Sequence, residues 1–331
     1  MKGLSHFVSA LAAATFIPGV ITQSAETQSL ILLLAGVCGV LPDWLDFKFA
    51  RYFEPAEVHL EPTALNFNAP ALAEQTARAI ERAYTEQRPI AVQFYSAQLA
   101  PDRWRRYTVQ FAPATNEVVI RPGPIINSGG FALAEVGQPG EVGRAPVGPQ
   151  LSYTYDGEMR VETMEGPSFE FRREGDEVEV SFLAWHRRWS HSLVLAAVCG
   201  LACGAVWGET AGWVAAVAFA THVLEDQLGH LGSNLWWPFT ARRGAGLKLM
   251  HSGDPLPNFV TVLISCGLML YNMNRFASPS LYDGNLFLLW GVALPAFAGL
   301  VMYAAGKHPP QRLEAWRGQE ALEEAEETEV N

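Results

Sequence analysis

Charge is segregated along this chain. Residues 1–47 and 185–306 carry few charged side chains, whereas 51–184 and 307–331 carry them at the density of ordinary soluble sequence. Within the sparse regions lie six apolar runs, at 4–21, 29–45, 190–206, 211–228, 259–271 and 286–303. Most approach the ~20 residues needed to cross ~30 Å of hydrocarbon. The pattern predicts an all-α polytopic membrane helical bundle of about six transmembrane helices, with a small α+β soluble domain inserted between the second and third. The expected organisation is membrane spans at 1–50 and 185–306, an inserted domain at 51–184 and an acidic tail at 307–331. The first run also has the basic start, apolar stretch and small residues of a signal peptide.

Basic residues give the expected orientation. Lys2, Lys48, Arg51, Arg187, Arg188, Arg242, Arg243, Lys248, Lys307 and Arg312 fall on one side of a six-span arrangement, and the opposite loops at 22–28, 207–210 and 276–284 contain no Lys or Arg. By the positive-inside rule, both termini and the inserted domain are expected on the cytoplasmic side of the inner membrane. The formal net charge of -11 argues against nucleic acid as a partner.

The insert alternates between patterns. Residues 71–86 have helical spacing, 89–95 are β-rich, and 107–111 with 117–120 alternate around an Asn-centred turn as a hairpin does. A Gly- and Pro-rich stretch at 122–150 reads as a long loop, and 151–155, 168–172 and 178–182 read as further strands. No catalytic motif stands out there, which leaves it as a substrate cap, a regulator or a docking surface for a protein partner. The four cysteines, Cys38, Cys199, Cys203 and Cys266, sit in apolar runs without a CxxC spacing and read as small buried side chains.

Polar side chains collect at one end of the expected helices. His6 opens the first run, Asp43 and Asp46 close the second, His186 and His191 precede the third, and His222 and Asp226 close the fourth. Spacings of three and four place Asp43 with Asp46, and His222 with Asp226, on shared helix faces. An ionisable group at the centre of a span costs roughly 2.5–3.5 kcal/mol, less near an interface. A structural zinc site returns on the order of 10 kcal/mol. Imidazole and carboxylate donors suit a divalent metal: zinc first, with manganese or iron as alternatives. Arg187 and Arg188 serve either as positive-inside anchors or as phosphate-holding groups. His230, His251 and Asp254 lack a diagnostic spacing.

In order, His6, the Leu41-Pro42-Asp43-Trp44-Leu45-Asp46 segment, His186-Arg187-Arg188-Trp189-Ser190-His191-Ser192 and His222-Val223-Leu224-Glu225-Asp226 resemble the YdjM-type inner-membrane metal-dependent hydrolases. The resemblance implies metal ligation by His6, Asp43, His186, His191, His222 and Asp226. Two features depart from it: Arg188 stands where the family usually has glycine, and the insert is longer than the family's connection. A more distant likeness to the helical zinc-dependent phospholipase C arrangement points to phosphoester chemistry.

The expected function is therefore a membrane-bound hydrolase acting on an ester or phosphoester of a lipid-like substrate. Asp46 is the expected general base, and Arg187 and Arg188 the expected stabilisers of phosphoryl charge. Two alternatives stand beside it: a membrane scaffold with a structural metal and a partner-docking insert, and a metal or solute transporter. Transport sites sit near the bilayer midplane on broken helices, unlike this one-ended cluster.

Overall fold

The computed structural model describes residues 2–27, 29–53, 55–62, 67–129, 131–133, 140–153, 157–161, 165–183, 185–241 and 243–307. The acidic tail, His308, Arg312 and Arg242 lie outside them. The chain forms two units. The first comprises Met1–Pro42, Ser192–Trp236 and Ala245–Asn331; the second comprises Asp43–His191 and Trp237–Gly244.

The first unit is helical: α1 Gly3–Ala14, α2 Val20–Glu26, the first half of α3 Ile31–Phe53, α5 Leu193–Trp207, α6 Glu209–Asp226, α7 Pro255–Phe276, α8 Gly284–Phe287 and α9 Leu294–Lys307. A π-helical turn, Leu288–Ala293, joins α8 to α9. Small residues make its core, with Ala10, Ala14, Ala35, Ala215 and Ala218 packed beside Val20, Ile31 and Val214. Large apolar residues such as Leu33, Leu201, Trp213, Trp290, Phe297 and Met302 face outward. Small inside and large apolar outside is the arrangement of helices packed within lipid.

The expected all-α bundle of about six spans is not what forms. The structure is mixed α/β, and two helical stretches are long and apolar enough to cross a membrane: Pro255–Phe276 and Gly284–Gly306. Helix length accounts for the difference. The first run is split: α1 stops at Ala14 after 12 residues, and Gly19, at φ 83°, opens the separate α2; α5 has 15 residues. At ~1.5 Å per residue, α1 and α5 reach only about 18 and 22 Å. Helix α3 has the length but carries Asp43, Asp46 and Lys48, and α6 carries Glu209, Glu225 and Asp226.

The second unit is α+β. One sheet has the order β1-β2-β9-β10-β7, built from Val58–Leu60, Ile90–Tyr95, Glu165–Glu174, Glu177–Phe182 and Gln150–Tyr153. The other runs β3-β4-β5-β6, from Ala97–Ala100, Arg103–Ala112, Glu117–Ile126 and Gly143–Pro146, and β8 (Glu158–Val161) pairs with β4. Within the first sheet β1 with β2 and β7 with β10 are parallel, and the other pairings are antiparallel. The register sets Val92 opposite Phe169 and Ile90 opposite Phe171. Alternation along β2 turns Ile90, Val92 and Phe94 inward.

Helix α4 (Ala69–Glu86) buries Leu72, Ala73, Thr76, Ile80 and Ala83 at three- and four-residue spacing, so one face meets the sheets. Phe111 meets Phe169 and Phe171 edge-on at 5.1 and 5.7 Å. The expected β4–β5 hairpin forms around Asn116, whose φ of 53° asparagine tolerates better than most residues. Its side-chain amide donates to the Val147 and Pro149 carbonyls. The expected loop at 122–150 is in part strand, since β5 continues to Ile126 and β6 lies within the stretch; residues 134–139 lie outside the described residues.

Candidate metal centre

Each unit assembles a set of two histidines and one carboxylate. In the first unit, His6 comes from α1, and His222 and Asp226 from one face at the end of α6. The His6 and His222 rings stack with centroids 3.8 Å apart. His6 Nε2 stands 3.3 Å from Asp226 Oδ1, and His222 Nε2 stands 3.3 Å from Asp226 Oδ2. The opposite ring nitrogens are pinned: His6 Nδ1 lies 2.8 Å from Glu225 Oε2, and His222 Nδ1 lies 2.6 Å from the Gly39 carbonyl. A carbonyl or carboxylate only accepts, so Nδ1 is the donor in both of these contacts and Nε2 is the atom left facing Asp226. His6 Nε2 is buried and makes no hydrogen bond, despite the nearby carboxylate.

Packing explains how α1 delivers His6. Gly39 of α3 lies so close to α1 that a Cβ there would stand 2.3 Å from the Ala10 Cβ and 2.9 Å from the His6 carbonyl. Near its N-terminus, the Ser5 hydroxyl and the Lys2 amide both donate to Asn258 Oδ1 on α7.

The second unit repeats the arrangement with different elements. Asp43 and Asp46 project from the second half of α3, and His186 and His191 come from the turns at 185–192. Ser192 closes that segment by capping α5, accepting from Val194 and Leu195 amides at 3.1 and 3.4 Å. The Nε2 atoms of His191 and His186 stand 3.3 and 3.9 Å from Asp43 Oδ1. On the far side, His186 Nδ1 donates to Asp46 Oδ2 at 2.9 Å. His191 Nδ1 donates to the Ser190 hydroxyl at 2.7 Å, and that hydroxyl donates to Asp46 Oδ1 at 2.5 Å. The Arg187 amide completes the shell around Asp46 Oδ2 at 2.7 Å.

Electrostatics follow from these contacts. Burial opposes the Asp46 charge, but hydrogen bonds from His186 and His191 outweigh it and hold the carboxyl well below its usual range. Burial pushes the His186 imidazole below its ordinary value against the pull of Asp46, which favours the neutral, metal-binding form. Arg187 is buried and holds a left-handed φ of 62°, a conformation costing a non-glycine residue about 1 kcal/mol or more. Arg188 is half-buried and donates to the Ala241 carbonyl at 3.2 Å.

Two participants were not apparent in sequence. Glu225 was hidden as an intervening residue between His222 and Asp226, although its position three after His222 was a usable signal. Arg243 donates to the carbonyls of Leu183 at 3.2 Å, His186 at 2.8 Å and Phe182 at 3.4 Å, bracing the segment that carries His186. Burial first, then the neighbouring Arg187 charge, pushes its pKa down to about 10. Among the unassigned histidines, His230 stacks on His251 at 3.9 Å, and His59 meets the Tyr95 hydroxyl at 2.9 Å.

Beside His186, Phe47 and Trp185 pack at centroid distances of 5.4 and 5.6 Å. Both also line a groove of about 500 Å³ with Met159, Val161, Pro167, Phe182 and Leu183, whose polar members include Gln93, Arg160 and Ser168.

These features define a class: a membrane-type chain that buries His and Asp groups able to hold a metal ion. The sequence profile of the YdjM inner membrane protein family matches residues 169–306, and this match supports a YdjM-type assignment. The matched segment contains His186, His191, His222, Asp226 and both candidate spans, and leaves His6, Asp43 and Asp46 outside. No curated protein and no solved structure was found to match the chain.

Proposed function

We propose that this protein is a divalent-metal-dependent hydrolase of the inner membrane, acting on an ester or phosphoester of an amphiphilic substrate. One observation carries the reading. All four histidines have Nδ1 held by an oxygen acceptor and Nε2 turned toward Asp43 or Asp226. Metal-binding imidazoles are oriented in this way, with the second nitrogen donating to a carboxylate, carbonyl or other acceptor. A buried core histidine needs no such carboxylate at its second nitrogen. His6, His222 and Asp226 would hold one ion, and His186, His191 and Asp43 another.

An ion so held, most naturally zinc for this donor set, would supply Lewis-acid chemistry, activating water near neutral pH and polarising an ester oxygen. The chain's own groups do the rest. Glu225, the Gly39 carbonyl, Asp46 and Ser190 keep each Nδ1 protonated, fixing the tautomer. Asp46 accepts from too many donors to act as a free general base, so we assign it this orienting role. Arg187 and Arg188 are the charge-stabilising groups for a phosphoryl oxygen. The groove beside His186, apolar with Gln93, Arg160 and Ser168 at its margin, suits a substrate with a lipid-like body and a polar head.

The membrane reading is multi-pass. The loop Ala277–Asp283 between the two candidate spans has no Lys or Arg, although Arg275 ends the first; Arg242, Arg243 and Lys248 precede the first span, and Lys307 follows the second. That bias favours a cytoplasmic location for the flanking segments.

The test is purification in detergent, metal analysis, and hydrolysis of a chromogenic phosphodiester and a fatty-acyl ester. Bound divalent metal, and hydrolysis abolished by chelation and restored by zinc or manganese, is the expected result. Stoichiometric metal without turnover of either ester class would leave a structural centre and sink the enzyme reading.

A further inference from the structure

The helical unit holds a second cluster of ligating side chains, of a different chemistry. Cys38 on α3 and Cys199 and Cys203 on successive turns of α5 bring their sulfurs within 4.8 Å of one another. Cys38 is buried and the other two are half-buried. Their surroundings are apolar: Cys38 is in the core of Ala35, Val214, Ala215 and Ala218, and Cys199 and Cys203 pack against that core. Neither α5 nor the Ile31–Pro42 part of α3 contains a charged residue.

We infer that these three thiols form a site for a soft monovalent cation, Cu(I) being the biological example. Three sulfurs bonded at about 2.3 Å around one ion stand about 4.0 Å apart, within the observed spacing. Thiolates select Cu(I) by softness, and this ion accepts two or three sulfur ligands. Zinc wants a fourth nitrogen or sulfur donor, and the described cluster supplies three sulfurs only. Binding releases two protons as two Cys–SH groups become thiolates and the third thiol donates neutrally, leaving one net negative charge. This inference stands apart from the His and Asp sets and survives their failure.

The decisive experiment titrates full-length, reduced protein in detergent, under anaerobic conditions, with Cu(I) held by a coloured competing chelator. Wild type is expected to withdraw one Cu(I) per chain and to show thiolate-to-copper charge-transfer absorption. Cys266→Ala should behave as wild type. Cys203→Ala, at the most exposed edge of the trio, should weaken uptake about tenfold or more, at least what loss of an outer-shell partner costs. The triple variant Cys38→Ala, Cys199→Ala, Cys203→Ala should take none. Failure of wild type to compete for Cu(I), or unchanged uptake by folded Cys203→Ala, would overturn the assignment.

Discussion

The imidazoles of His6 and His222 stack face to face, 27° between planes, and both aim Nε2 at the same Asp226 carboxylate. Each ring has its Nδ1 on an oxygen acceptor, so the two Nε2 atoms converge on one carboxylate, a donor set that a single cation would join. Asp226→Asn removes the carboxylate while keeping its shape. We expect it to lose the metal of the helical unit and retain that of the α+β unit. Elemental analysis of the purified variant checks this; an undiminished metal content would disprove one ion per set.

Gly39 is where α1 and α3 come closest. Gly39→Ala places a methyl against Ala10 and the His6 carbonyl, and overpacking of this kind costs about 1–3 kcal/mol. The thermal midpoint in detergent should fall, and with it the metal bound through His6 and His222. A midpoint equal to wild type would mean the helices separate freely, which their packing argues against.

Arg243→Ala removes the guanidinium that donates to the Phe182, Leu183 and His186 carbonyls, while the Leu183 carbonyl keeps the His186 amide. The loss of buried partners is expected to cost about 1–3 kcal/mol. Metal should be lost selectively from the Asp43, His186 and His191 set, read by metal analysis beside a stability measurement. Arg243→Lys keeps the charge but not the fork of donors, and should restore only part of either.

Glu57 ties the strand-side loop to α4. Arg88 and then Arg82 hold its carboxyl down to about 2. A depressed carboxylate contributes stability above its unfolded value of about 4.3, and the contribution fades as pH falls through about 2. Wild type should therefore exceed Glu57→Gln in denaturant midpoint at pH 7 and lose that advantage in strong acid. All three side chains are well exposed, so the gap is small and added salt should shrink it further.

Some of this was legible in the residues. The spacing of His222 with Asp226, and of Asp43 with Asp46, fixes which side chains share a helix face whatever the tertiary arrangement. Helix α4 and the β4–β5 hairpin announce themselves through local periodicity and the Asn116 turn. The number of spans differs from expectation because apolar run length counts residues and not continuous helix: α1 stops at Ala14 inside the first run, and charges occupy the ends of α3 and α6. Strands β1, β3 and β6 are short and take their identity from partners. The cysteine trio was hidden because Cys38 and Cys199 meet only through the tertiary fold.

The interleaved chain order has a consequence for biogenesis. Ala10 and Ala14 share a core with Val214 and Ala215, which the ribosome adds about 200 residues later; at ~5–20 residues per second the delay is on the order of 10–40 s. Most of the α+β unit emerges during that interval, while the amino-terminal helices still lack their packing partners. The first helices must therefore be sheltered, by lipid or by a chaperone, until the second half of the chain arrives to receive them.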